Sequence, residues 1–221
     1  MSLRAPMAEE FSSDLAEKSQ GFGSRLGFAK QPIRALLVHI AVIGVFGILL
    51  PWWLGARFLS PVTLTAYCCF GVLFAAPVSA EFFSADRPKE MKDALVRIAF
   101  ATLYGDVMAI VTLLAGIATL SFSPAWIFFT KDFLSLGEAL ALGLMATFAM
   151  AAVSGLIAVL ISSPAGRGLV LRVIFLALLI LFFFDSQRLP EIVIPGIGVC
   201  AGVAVLALIG LRQLLPSRDA R

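Results

Sequence analysis

The stretch SADRPKEMKDALVRIAFATLYGD, residues 84–106, decides how the chain is read. Its first ten residues carry three acids and three bases, and the next ten carry a single charge, Arg97. Asp106 then follows inside what reads as apolar helix. A charged, wet segment that runs directly into an oily one is what a connector looks like where it enters a membrane span.

The rest of the 221 residues agree: 60% are hydrophobic and only 14% charged. A soluble domain is nearer half apolar and about a quarter charged. The mean hydropathy of +0.99 points the same way. A chain this short cannot bury so much apolar surface in a soluble core, so the composition predicts an integral membrane protein.

A helix needs about 20 apolar residues to cross the hydrocarbon. Six stretches qualify, roughly 35–54, 62–80, 95–120, 137–161, 169–184 and 192–211. They are continuously apolar rather than alternating, which predicts an all-α, six-helix protein and not a β-barrel. The expected division is an N-terminal cytoplasmic or interfacial arm 1–32, a transmembrane domain 33–212 and a tail 213–221. Within the arm, Phe11, Leu15, Phe22 and Leu26 would line one face of an interfacial helix. No secretory leader is expected, because the polar arm before Ile33 carries both signs of charge.

Lys and Arg set the expected orientation. With a cytoplasmic N-terminus, 14 of the 17 bases fall inside and only Arg57, Lys131 and Arg188 outside. Both termini are then cytoplasmic, as is the segment 81–97. There Asp86 is expected to cap a short surface helix with Pro88 in its first turn, and Lys89 to pair with Asp93. The aromatic segment around Trp126, Phe128, Phe129 and Phe133 falls outside, as an interfacial belt.

Several chemistries are excluded. No GxxxxGKS/T phosphate loop, HExxH or GxSxG motif occurs. The single histidine, His39, rules out a bis-histidine haem within the chain. Cys68, Cys69 and Cys200 lie in apolar spans without metal spacing. No cofactor, metal site or catalytic centre is expected, and the scattered bases make no nucleic-acid footprint. The polar groups within the spans are His39 and Asp106. Both are expected in the cytoplasmic third, where contact between spans one and three would pair them. Such a pair would either line a substrate or proton path or fix helix packing. The small residues of span four, among them Ala151, Ala152, Ser154 and Gly155, predict close packing.

Six spans, cytoplasmic ends, an N-terminal elbow and a charged stretch between spans two and three resemble the membrane subunit of type-two ABC exporters. The small haem-exporter permease of cytochrome c maturation is nearest in size. Residues 151–184, AAVSGLIAVLISSPAGRGLVLRVIFLALLILFFF, also resemble that family's spans four and five with a glycine/arginine turn between. In that family an acid ending span two leads into a charged short helix that touches the ATPase. The resemblance implies this role for Glu81, Asp86, Arg87, Lys89 and Glu90, and implies a dimer or hetero-oligomer with a separate ATPase subunit. The family's acid–Gly–Ser/Thr–Leu signature is replaced here by DRPKEMKDAL. The expected function is therefore an exporter permease of a bacterial inner membrane. The alternative is a structural or accessory subunit of a larger respiratory or photosynthetic complex, which the 19 phenylalanines and few intramembrane charges also suit. A membrane enzyme acting on lipids is the weakest reading, for want of converging acids or histidines.

Overall fold

Backbone N–H and C=O groups find no water in hydrocarbon, so a spanning chain must satisfy them within its own elements. The computed structural model describes residues 32–55, 60–121, 133–185 and 189–215, and every long element among them is a helix. The helices are α1 (Pro32–Val42), a π-helical turn Ile43–Leu49, α2 (Leu50–Leu54), α3 (Pro61–Cys68), α4 (Gly71–Ala85), α5 (Met91–Ser121), α6 (Phe133–Leu160), α7 (Pro164–Asp185) and α8 (Leu189–Leu214). The arm before residue 32, the aromatic segment 122–132 and the end of the tail lie outside the described residues. The chain divides into two units, Met1–Ala41 and Val42–Arg221.

Among the described residues five stretches are long and apolar enough to cross a membrane: Leu37–Leu54, Val62–Ala85, Met91–Leu120, Gly137–Leu160 and Val193–Leu214. Topology supplies the sixth. Gly196 lies against Leu142 and Gly210 against Leu156, so α6 and α8 run parallel. The helix between them, α7, must return across the same thickness. Its 22 residues reach about 33 Å at 1.5 Å per residue, enough for the hydrocarbon. The protein is thus an all-α, multi-pass membrane protein.

The second span is made of two helices. Ser60 caps α3, accepting a bond from the Thr63 N–H at 3.3 Å, and Pro61 occupies the first turn. The helix then breaks at Cys69–Phe70, bridged by short-range bonds such as Val72 N–H to the Cys69 carbonyl at 3.1 Å. The first span carries a π turn, where the Leu50 N–H reaches back five residues to Val45. Neighbouring helices use the carbonyls there. Tyr67 donates its hydroxyl to the Phe46 carbonyl, and the Thr119 hydroxyl lies 3.2 Å from that of Gly47. Pro51, four residues beyond Gly47, has no N–H to offer it.

The centre is a seam of α4, α5 and α6. Helices α3 and α4 run parallel to α6: Cys68 of α3 meets Gly143, and from α4 the Ser79 hydroxyl donates to the Ala151 carbonyl at 2.6 Å and Phe83 meets Gly155. Helix α5 runs antiparallel to both α4 and α6. A Cβ at Gly105 would stand 2.5 Å from the Gly71 carbonyl oxygen, and one at Gly143 would stand 2.3 Å from that of Cys68. Only glycine allows such backbone approach. The small residues expected to pack span four do so, with Ala151, Ala152 and Ser154 fully buried.

Within Val42–Arg221, the described Lys and Arg residues gather in one half of the bundle. Arg87, Lys89, Lys92 and Arg97 flank the α4–α5 junction, Arg167 and Arg172 start α7, and Arg212 ends α8.

Candidate functional site

The α4–α5 junction is built differently from the expected surface helix. Asp86 has extended dihedrals (φ −150°, ψ 119°) and terminates α4 instead of capping the next helix. Pro88 is buried and lies outside any helix, and α5 begins only at Met91. The expected Lys89–Asp93 pair requires both residues on one helix, so it is replaced by a true i,i+4 pair, Asp93–Arg97.

Arg97 organises this junction. Its side chain is only 12% exposed. Its Nη2 lies 2.8 Å from Asp93 Oδ2 and its Nε 3.2 Å from Asp93 Oδ1. The same guanidinium reaches Asp86 Oδ2 at 3.3 Å, the Phe82 carbonyl at 2.8 Å and the Asp86 carbonyl. Its five N–H donors lie in one rigid plane, so a single side chain can bond two carboxylates at once and take up carbonyls that the end of α4 leaves open. Arg87 adds a third helix, its Nη2 donating to the Val159 carbonyl of α6 at 3.2 Å. In the sequence Arg97 reads only as a marker of orientation. The signal that could find it is its four-residue spacing from Asp93 with a second carboxylate, Asp86, across a short connection.

Other charges at the junction stay outward. Glu81, Lys89, Glu90 and Lys92 are exposed. Lys89, Glu90, Lys92, Asp93 and Val96 border an open recess of about 400 Å³.

Asp106 stands elsewhere. It lies midway along α5, about 22 Å from either end at 1.5 Å per residue. Its neighbour Gly105 is locked into the seam, which aims Asp106 toward α6, where its carboxyl interacts with the Thr147 hydroxyl. Thr147 also bonds the Gly143 carbonyl at 2.8 Å. Tyr104 faces another way, edge-on to Phe74 with ring centroids 6.5 Å apart. Beside Asp106 is a cavity of about 170 Å³, bordered by Cys68, Ala109, Ile110, Leu113, Leu140 and Leu144. His39 belongs to the separate unit Met1–Ala41, on α1.

The fold also brings together cysteines that sequence spacing keeps apart, since Cys200 of α8 comes within electrostatic range of Cys69. Among the described residues no three His, Cys, Asp or Glu side chains form a metal-binding group. Comparison with protein families, with curated proteins and with solved structures finds no match to this chain.

Proposed function

We propose that this chain is the membrane permease subunit of an ABC-type exporter in a bacterial inner membrane, with both termini cytoplasmic. In this reading it couples to a separate cytoplasmic ATPase through residues 81–97. The observation that carries the reading is the α4–α5 junction. Arg97 ties the end of α4 to the start of α5, and Arg87 ties the same segment to the end of α6. A push on the exposed charges Glu81, Lys89, Glu90 and Lys92 would therefore reach three packed helices together. That is what a coupling element needs: an outward charged face for a partner and rigid attachment to the spans. The lopsided distribution of Lys and Arg supports the orientation, and the resemblance of residues 151–184 to the exporter family supports the class.

The test is affinity purification of the tagged chain from its native membrane under mild detergent, beside a variant carrying Lys89→Ala, Glu90→Ala and Lys92→Ala. The expected outcome is a nucleotide-binding subunit that accompanies the parent chain and is lost from the variant. A stable complex with other membrane proteins and no nucleotide-binding subunit would refute the exporter reading and establish the structural-subunit alternative.

A further inference from the structure

We infer that the cavity beside Asp106 is a binding site for a small lipophilic amine, which holds its ammonium group against the Asp106 carboxylate and its apolar body between α3, α5 and α6. Three observations carry this.

The first is size and shape. The cavity holds about 170 Å³, and a dry apolar cavity of about 150 Å³ is enough for a benzene ring. Cys68, Ala109 and Leu113 are buried and form its floor, while Ile110 and Leu144, each a little under half exposed, form a mouth on the outside of the bundle. A ligand dissolved in the bilayer can therefore enter sideways.

The second is charge. A carboxylate midway through a membrane helix costs about 2.5–3.5 kcal/mol unless it finds a partner. Both described ion pairs belong to Arg97, at the far end of α5, and no described Lys or Arg reaches Asp106. Thr147 has one hydroxyl hydrogen to divide between the Gly143 carbonyl and Asp106. Among the described residues at most one donor thus serves two carboxylate oxygens, whose remaining lone pairs stay available to a bound cation.

The third is rigidity. Gly105, the residue before Asp106, is fixed against Gly71 and Thr147 with no space for even a methyl group. The backbone that carries Asp106 is therefore held in place at the cavity rim before any ligand arrives, which lowers the ordering cost of binding. A neutral hydrocarbon would fill the cavity equally well and leave the carboxylate unpaired, so the site discriminates by charge. The inference stands on the cavity and the carboxylate, and does not depend on an ATPase partner.

The experiment uses the full chain in lipid nanodiscs with benzylammonium as probe and toluene as its uncharged counterpart, each followed by ligand-observed NMR titration. The parent chain is expected to hold benzylammonium at least ten-fold more tightly than toluene. Asp106→Asn, nearly isosteric, is expected to abolish that preference and still take toluene. Equal benzylammonium affinity in parent and Asp106→Asn overturns the inference. So does a parent chain that binds neither probe, as when a second copy covers the mouth. Should Asp106→Asn fail to fold, Leu144→Trp plugs the mouth from an exposed position: loss of both probes supports the site, and retention of both overturns it.

Discussion

The α4–α5 junction and the middle of the α4–α5–α6 seam are held by opposite means. At the junction, one long cation gathers two carboxylates and two carbonyls, and the contacts run through flexible side chains. In the seam, Gly71, Gly105 and Gly143 bring backbones together with nothing between them. A side-chain clasp can lose a contact and readjust. Backbone contact leaves no slack, because the obstructing atoms are main-chain carbonyls on neighbouring helices. The junction is thus the part whose contacts can be removed one at a time, and the seam is the part that admits no substitution without moving a helix.

Breaking the seam should therefore do the most damage. Gly105→Leu drives a Cβ to 2.5 Å from the Gly71 carbonyl oxygen, and is expected to destabilise by about 3 kcal/mol or more. The measurement is thermal unfolding in detergent, where the variant should fail to give a cooperative transition or should melt far below the parent.

Breaking the clasp comes next. Arg97→Ala strands Asp93 and the Phe82 carbonyl in a partly buried place, and is expected to cost about 2–4 kcal/mol. Arg97→Lys should restore less than half, since one ammonium cannot span the same fork of acceptors. The same unfolding assay ranks the three proteins. Asp86→Asn alters only a half-exposed arm of the clasp, 3.3 Å away, and should cost about 0.5 kcal/mol, shrinking further with added salt.

The smallest effect has the opposite sign. Ser154 is fully buried and its hydroxyl has no hydrogen-bond partner among the described residues. Ser154→Ala removes an unsatisfied polar atom and should be neutral or stabilising by up to about 1 kcal/mol. A clear loss of stability there would show that Ser154 holds something within the seam.

These two regions are not equally legible in the sequence. The spans can be read because continuous apolar runs of about 20 residues have few other uses. The close packing of span four can be read from its alanines and glycine. At Asp86 and Pro88 the local capping rules mislead, because they predict a helix start there. Arg97, drawing on contacts from both helices, shifts the boundary to Met91. Tertiary bonds outweigh a cap worth about 1 kcal/mol. Asp106 stands out as a lone acid in an oily helix. Its partner Thr147 lies 41 residues away on another helix, and no local pattern announces it. The same holds for Cys69 and Cys200, and for the glycines facing each other across the seam: each is an ordinary glycine until the helices are docked.

The proposed coupling requires the clasped, charged junction to face the cytoplasm, where an ATPase can reach it. Thiol labelling of Lys92→Cys measures this most directly, in a background with Cys68, Cys69 and Cys200 replaced by alanine, using a membrane-impermeant maleimide. Labelling is expected in inside-out vesicles and not in intact cells. Labelling from outside intact cells would place the junction on the wrong side of the membrane and end the proposal.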